Sequence, residues 1–501
     1  MRTRPTALLG VLLAAAILFA CSPAPTNDPS ASRRGLLVIA IDSWRTDHLS
    51  LYGYDRATSP FLDELAEECV VFERAYAPSP ETLAVHASLL TGCAPEVCER
   101  PPLPDGMVVP SPTKVFLPES LPRLGRSLLA EGYRTAAFSD HPWLSPVHGF
   151  RSGFEKFSVF RGEESEPGAA FGFPGVANRF KTWLKQLASD DDWFAYLQIT
   201  DLERIWGATD PAFDNFFQPR AELDYVPAVS TLPRSFFSIP RRHWSGGSST
   251  LGDYEAKYDG NLREIDQNLG RLCDWLKRRG FWDDLTVLVV GTYGLGFGEA
   301  GMLLDSGTLD DVDLRVPFVL RPAPSLGIAP RRFVNEMVSL VDVAPTLLEL
   351  QGVVPPPGMQ GMSLADLLHA RQDARTRSMA FAAGGLHEGY RVWTEEFSYA
   401  WFVPAGNCDP ALRSTWTGTE LGGRSTPVRE LLALPSRTAL DLTDEANARE
   451  AEVLDAEAKE HFRWLAFARD AIHPAPWRDE EPGEGLLREL ERRGLIAPRS
   501  E

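Results

Sequence analysis

Stretches made only of apolar residues alternate with amphipathic stretches through most of this chain. Residues 36–41 (LLVIAI) carry no polar side chain, which is typical of a strand buried on both faces of a parallel sheet. Apolar residues three and four positions apart predict a long helix at 254–279. Four further runs are predicted to be strands: 135–138, 194–199, 286–290 and 316–320. This alternation predicts an α/β fold with a mostly parallel sheet covered by helices.

Two parts of the chain depart from this pattern. Residues 160–250 mix glycine, proline and aromatic residues irregularly, which predicts long surface loops inserted in the main domain. After residue 375 the pattern changes to an isolated strand region at 389–402 and a charged, helical C-terminal region. We therefore predict an α/β domain at 35–375 and a smaller C-terminal α+β subdomain at 376–501.

The N-terminus has the pattern of a targeting segment. Arg2 and Arg4 precede an apolar run at 7–20, which is too short to span a bilayer comfortably and suits the core of a signal peptide. The run ends Leu-Phe-Ala-Cys21, which resembles the bacterial lipobox. That resemblance implies a lipoprotein signal peptide at 1–21, with Cys21 lipidated in the mature protein. An ordinary signal peptide with a chance cysteine is the alternative.

The lipobox resemblance also implies a location. Ser22 follows the cysteine where an aspartate would favour retention in the inner membrane, so we expect a lipid-anchored protein of the bacterial cell envelope. The expected site is the outer membrane, facing the periplasm or the exterior. Residues 22–34 are rich in proline, serine and alanine, which predicts a flexible tether between the lipid and the folded part.

The charge of the chain limits its partners. The formal net charge is −19, and no cluster of lysine and arginine stands out in the sequence beyond the first few residues, so we expect no nucleic-acid partner. The cysteines after the lipobox lack the spacing of a zinc site. Cys93 and Cys98 are close enough in sequence to close a small loop, but sequence alone leaves their pairing open.

Asp42 is the first residue with candidate chemistry. It directly follows the first predicted strand, where sites form in open α/β sheets, and a carboxylate there can bind a hard divalent cation. Residues 37–54 (LVIAIDSWRTDHLSLYGY) resemble the opening segment of the sulfatase family of the alkaline phosphatase superfamily. The resemblance implies that Asp42 is a metal ligand, although Ser43 stands where many members have a second acid. An Asp42 that only caps a loop is the alternative.

Thr82 is the candidate nucleophile. Residues 78–92 (PSPETLAVHASLLTG) resemble the nucleophile helix of the family, and a helix N-terminus favours anions. A metal-activated Thr82 could attack sulfur or phosphorus. Sulfatases have a cysteine or serine here that is oxidised to formylglycine, which threonine cannot form. His86 is predicted to lie near Thr82. The alternative for Thr82 is an ordinary residue of the first helical turn that has no chemical role. The alternative for His86 is a partly buried histidine of the helix.

Two further segments match the spacing of the family's motifs but have other residues at the positions that bind metal or substrate in the family. Residues 194–203 resemble a strand that reads His-x-x-Asp-Pro-His, with Gln198 and Glu203 at the histidine positions and Asp201 retained as a candidate substrate-binding residue. Residues 291–301 (GTYGLGFGEAG) resemble Ser-Asp-His-Gly-x-Gly-x-Gly-Glu-His-Gly. Thr292 and Tyr293 stand where metal ligands are expected, and Ala300 replaces a second histidine.

These changes predict a degenerate metal site. Divalent cations in proteins are held by several anionic oxygens, and Asp42 alone leaves about half of the charge uncompensated. The resemblance covers about residues 36–455 and implies an alkaline-phosphatase-like fold. We therefore expect a catalytically degenerate envelope lipoprotein that needs no cofactor and binds an unknown ligand or envelope protein.

The alternative is an active sulfuric or phosphoric ester hydrolase or transferase. It would use Thr82 as nucleophile with calcium or another divalent cation. That activity requires two or more further acids to converge on Asp42 and Thr82, and the candidates are Asp47, Asp201, Asp305, Asp310 and Asp311.

Overall fold

The computed structural model describes the chain in nine ranges: 34–98, 115–141, 144–159, 172–203, 210–230, 238–244, 249–385, 388–403 and 428–472. The predicted signal peptide, Cys21, Cys408 and all but the last residue of the predicted tether lie outside these ranges. The domain bounds predicted from the sequence stay predictions. No helix of the described ranges is long and apolar enough to cross a membrane.

The helices of the described residues are α1 (Pro60–Leu65), α2 (Thr82–Thr91), α3 (Leu124–Ala130), α4 (Gly172–Leu184), α5 (Leu251–Arg278), α6 (Asp311–Leu314), α7 (Val343–Leu350), α8 (Ala365–Leu368) and α9 (Glu445–Ile472). The strands are β1 (Gly35–Ile41), β2 (Val70–Phe72), β3 (Ala75–Tyr76), β4 (Arg134–Ser139), β5 (Lys156–Val159), β6 (Trp193–Ile199), β7 (Ala228–Ser230), β8 (Ser238–Pro240), β9 (Leu285–Gly291), β10 (Phe318–Arg321), β11 (Arg331–Val334), β12 (Val338–Ser339), β13 (Ala380–Ala383), β14 (Glu388–Trp393), β15 (Phe397–Val403), β16 (Val428–Ala433) and β17 (Thr438–Ala439).

The main sheet has eight strands in the order β11-β2-β10-β9-β1-β6-β4-β5. The central strands β9, β1, β6 and β4 are parallel, and β10 is antiparallel to both of its neighbours. Alternate residues of β1 belong to cores on opposite faces, with Leu36 and Val38 in one and Leu37 and Ile39 in the other. This confirms the predicted mostly parallel sheet covered on both faces.

Most of the predicted elements are found with small shifts. The helix predicted at 254–279 is α5, which begins at the capping box formed by Thr250 and Asp253. The strand region predicted at 389–402 is two strands, β14 and β15.

The prediction of long loops at 160–250 was wrong for α4. This helix buries Phe173, Val176, Phe180 and Trp183 against the sheet. Their spacing is helical, but the glycine and proline residues around them hid the pattern.

A second, antiparallel sheet of β13–β17 forms the C-terminal part together with α9, as predicted. It is fixed to the main domain at Trp393, whose ring stacks on Tyr76 at 4.4 Å and whose Nε1 donates to Asp311 at 2.8 Å. Arg391 adds a hydrogen bond from its Nε to the Leu309 carbonyl.

The four cysteines of the described ranges are free thiols: Cys69, Cys93, Cys98 and Cys273. All four are buried. The structure therefore contains no Cys93–Cys98 disulfide.

Candidate functional site

The carboxyl ends of β6, β1 and β9 place the candidate residues together. In the sheet register Ile41 of β1 pairs with Ile199 on one side and with Gly291 on the other. Asp42 and Thr292 therefore leave the sheet side by side, and the Asp42 N–H still donates to the Ile199 carbonyl at 2.9 Å. Ser43 has a φ of 57°, a left-handed conformation that turns the chain sharply directly after Asp42.

The Asp42 carboxylate is fully buried and accepts three side-chain hydrogen bonds. Its Oδ1 accepts from Thr292 Oγ1 at 2.6 Å and from His86 Nε2 at 3.0 Å, and its Oδ2 accepts from Gln198 Nε2 at 2.6 Å. Burial alone would raise the pKa of Asp42, but His86, then the charge of His141 and the Thr292 hydroxyl, hold it below its usual value. Asp42 is therefore an ionised carboxylate surrounded by donors.

Two partners behind this first layer fix the donors. The Gln198 Oε1 accepts from Ser139 Oγ at 2.6 Å, which orients the amide so that its nitrogen faces Asp42. Tyr196 OH lies 2.5 Å from His86 Nδ1, and burial, followed by the charge of Asp42, raises the Tyr196 pKa well above its usual value. The His86 Nε2 also lies 2.9 Å from the Gln198 amide nitrogen, so the ring is held between Tyr196, Gln198 and Asp42.

A second chain of hydrogen bonds runs from Thr82 to Glu203. Tyr293 OH donates to Glu203 Oε1 at 2.7 Å, so its oxygen accepts from Thr82 Oγ1 at 2.9 Å. Burial and then the charges of Glu203 and Asp42 raise the Tyr293 pKa well above its usual value. His141 Nε2 lies 3.7 Å from the other Glu203 oxygen. Burial raises the Glu203 pKa above its usual value, although His141 opposes this.

Asp201 is buried and lies beside this chain, but its carboxylate holds the start of α4. Both of its oxygens accept from the Phe173 N–H, at 2.9 and 3.2 Å. Its role in binding a substrate stays a prediction.

The other acids that an active metal site would need have partners elsewhere. Each accepts at least one hydrogen bond away from Asp42: Asp47 from Arg45 at 2.9 and 2.7 Å, Asp305 from the Ser306 N–H at 2.9 Å, Asp310 from Arg437 at 2.8 Å, and Asp311 from Trp393 at 2.8 Å. Among the described residues no three histidine, cysteine or acidic side chains are grouped as a metal ion would require.

The sequence-based candidates thus fall into two neighbouring groups. Asp42, His86 and Thr292 meet in the first, and Thr82 and Tyr293 meet in the second. His86 follows Thr82 by one turn on the same face of α2, and its ring contacts Asp42, Tyr196 and Gln198. Sequence reasoning missed Tyr196. It lies two positions before Gln198 on β6, so its side chain is on the same face, and that alternation was a usable signal.

The family model named Sulfatase matches residues 34–353, which is more than half of the chain and includes both groups. The chain belongs to the sulfatase family. Of its relatives in that family, the ulvan-active sulfatase of Formosa agariphila is 23% identical over 400 residues, which cover 74% of this chain and 73% of the relative. The mouse steryl-sulfatase is 25% identical in a match that covers 95% of this chain and 90% of the relative.

Solved structures of the superfamily share the fold of this sulfatase-family protein. The phosphonate monoester hydrolase of Agrobacterium radiobacter superposes with a TM-score of 0.65 at 20% sequence identity. The superposition covers 87% of this chain and 96% of the hydrolase. The alkaline-phosphatase-like fold expected from the sequence is therefore confirmed.

Proposed function

We propose that this member of the sulfatase family binds a ligand at the carboxyl edge of its main sheet and does not catalyse metal-dependent ester hydrolysis. The observation that carries the proposal is that both oxygens of the Asp42 carboxylate are bound by donors of Thr292, Gln198 and His86. A metal bound to Asp42 would meet a hydroxyl, an amide nitrogen and an imidazole N–H.

These residues do not fit a divalent cation. An amide nitrogen is not a metal ligand, and the Gln198 amide presents its nitrogen to Asp42. Within the described ranges, Asp42 is the one carboxylate of this hydrogen-bonded group, whereas calcium sites have several anionic oxygens. Removing the buried Asp42 from its donors would leave each of them unpaired, which costs about 1–3 kcal/mol per group.

Among the described residues, no group that contacts Thr82 could activate it. A free aliphatic hydroxyl is a weak nucleophile and needs a metal or an adjacent base. Its hydrogen-bond partner is Tyr293, a phenol that is itself held protonated by burial and by Glu203. Tyr293 therefore accepts a hydrogen bond from Thr82 but does not remove its proton.

The accessible part of the site supports a neutral or cationic ligand. Glu203 is the partly exposed acid of the Thr82 group, with 31% of its side chain accessible, and it stands where the family resemblance expects a histidine. A sulfate or phosphate ester would be repelled by this carboxylate and by Asp42. We infer a ligand rich in hydroxyl or amino groups. We place it in the cell envelope, where the lipid on Cys21 would anchor the protein.

Metal analysis combined with activity assays tests this proposal. Purified protein is dialysed against calcium, magnesium, manganese or zinc, the bound metal is counted, and turnover of aryl sulfate, aryl phosphate and an aryl phosphonate monoester is measured. We expect no stoichiometric metal and no turnover above that of Thr82→Ala. About one metal ion per chain, together with turnover that Thr82→Ala abolishes, would establish the hydrolase instead.

A further inference from the structure

A group of cations lies around one tryptophan at the edge of the main sheet opposite the site. The Lys181 and Lys185 ammonium nitrogens lie 5.8 and 5.9 Å from the Trp275 ring centroid, and the Arg279 guanidinium lies 5.9 Å from it. Arg278 is close enough to Lys181 to lower its pKa. We call Lys181, Lys185, Arg278, Arg279 and Trp275 the basic patch.

The fold assembles the basic patch from the ends of two helices. Lys181 is in the last turn of α4, Arg278 ends α5, and these helices lead into the parallel strands β6 and β9. Their C-termini therefore meet at the amino edge of the sheet. Lys277 is also at this edge, 4.8 Å from the Trp282 ring centroid, and is paired with Glu68 at 3.8 Å. The chain has seven lysines, so three of them are concentrated here.

Described acids lie near the basic patch without pairing with it: Asp274 precedes Arg278 by one helical turn, and Asp283 and Asp284 follow the helix. No described acid forms an ion pair with its lysines or arginines, and the Lys181 pKa is lowered by burial, then by Arg278 and Lys185. A helix dipole stabilises a cation near the helix C-terminus. It does not offset the repulsion between several cations placed there together. The nearby acids Asp191 and Asp192 face Arg134 at 3.7 Å and Arg34 at 2.6 Å.

The basic patch adjoins the point where the described chain begins. Gly35 starts β1, and its N–H donates to the Asp284 carbonyl at 3.0 Å. Trp193, the sheet partner of Gly35, contacts Phe281 at 6.3 Å, and Phe281 stacks on Trp275 at 6.1 Å. Two ring contacts therefore connect the start of β1 to the patch.

The length of the predicted tether limits how far the basic patch can lie from a bilayer that holds a lipid on Cys21. Twelve residues lie between Cys21 and Arg34, and a flexible chain of that length has a root-mean-square span of about 20 Å. A lipid on Cys21 would hold the amino edge of the sheet within that distance of a bilayer. Lysine and arginine bind the phosphates of anionic lipids, and tryptophan favours the interface between lipid and water.

We propose that the basic patch binds the headgroups of an anionic phospholipid bilayer, the bilayer that carries the lipid on Cys21. This contact supplies the second attachment that stable anchoring by lipid chains requires. It fixes the orientation of the protein on the membrane. The proposal rests on the predicted lipidation and is independent of the ligand proposed for the Asp42 site.

Lysine acylation on vesicles, read by mass spectrometry, tests the contact. The full-length protein, with its Cys21 peptide weighed to establish lipidation, is bound to vesicles of phosphatidylcholine alone or mixed with phosphatidylglycerol. We expect acylation of Lys181 and Lys185 to fall at least about threefold with phosphatidylglycerol, and the fall to disappear in high salt. Lys459 on α9 is 58% exposed and is the internal control, with no change expected.

Charge reversal that leaves the reporter lysines intact is the second arm. Arg278→Glu/Arg279→Glu should abolish most of the protection by phosphatidylglycerol, whereas the matched control Arg332→Glu/Arg371→Glu, at exposed arginines elsewhere, should keep it. Melting temperatures verify that both variants fold. Equal acylation on the two vesicles overturns the proposal, and so does protection by soluble polyphosphate but not by the anionic vesicles.

Discussion

The Nε2 of His86 lies 3.0 Å from the Asp42 carboxylate, and both side chains are completely buried. A charged acid in such a place is stable only when its oxygens are paired. The hydrogen-bond donors around Asp42 therefore contribute to the free energy of unfolding of the protein, whatever ligand the site binds.

Replacing Asp42 tests this structural role. Asp42→Asn puts an amide nitrogen opposite one of the three donors, so we expect a loss of about 1–3 kcal/mol in the free energy of unfolding. Urea denaturation measures it, with and without calcium. We expect calcium to leave both curves unchanged. A rise in wild-type stability with calcium that Asp42→Asn removes would contradict the assignment of Asp42 as a carboxylate bound only by side-chain donors.

A second carboxylate at position 292 should create a response to metal. In Thr292→Asp two acids would share a buried site, so we expect the melting temperature to fall in chelator and to recover in part with calcium. Thr292→Asn is the matched neutral control and should show no recovery. Calcium-independent melting of Thr292→Asp would mean that the site cannot accommodate the ion even with the added charge.

The chain of hydrogen bonds from Thr82 through Tyr293 to Glu203 predicts an energetic coupling. Tyr293→Phe removes the shared hydroxyl and should cost about 1–2 kcal/mol, and Thr82→Val should cost less. In the double variant the two costs should fall short of additivity by about 1 kcal/mol. Chemical denaturation of the four proteins measures this difference. Full additivity would show that Tyr293 does not link the two groups.

Asp313 predicts an unusual dependence of stability on pH. Its Oδ2 accepts from Gly307 N, Thr308 N and Thr308 Oγ1, while its buried Oδ1 has no hydrogen-bond partner, and burial raises its pKa to about 7. The folded protein therefore keeps a proton that the unfolded chain loses near pH 4. The stability that this proton contributes is complete below pH 4 and declines as the pH rises to about 7.

The matching measurement compares the wild type with Asp313→Asn by urea denaturation between pH 4 and pH 7.5. The wild type should lose roughly 2–4 kcal/mol relative to the variant over this range. Parallel stability curves for the two proteins would show that Asp313 does not hold its proton.

The sequence was enough for the parts of the fold that depend on local pattern. Residues 36–41 predicted β1 because a short, fully apolar run is typical of a strand buried on both faces of a parallel sheet. The helical spacing of apolar residues predicted α5. The antiparallel direction of β10 could not be predicted from the sequence, because a buried strand has the same composition in either direction.

The sequence predicted which residues form the site but not which hydrogen bonds they make. Thr292 and Gln198 were recognised as replacements for ligands, whereas their function as donors to Asp42 depends on rotamers that the sequence does not encode locally. The same limit applies to the basic patch. Its lysines and arginines are spread over about a hundred residues of sequence, and only the parallel order of β6 and β9 brings them together.

The seven residues of β1 have one end at the basic patch and the other at Asp42. A strand of that length is about 23 Å long, so it acts as a spacer that holds the two surfaces apart. If one end rests on a bilayer, the other opens toward the aqueous space beyond it. A ligand of Thr82 and Glu203 would then arrive from solution or from an opposing surface, and the lipids beneath the protein would be out of reach.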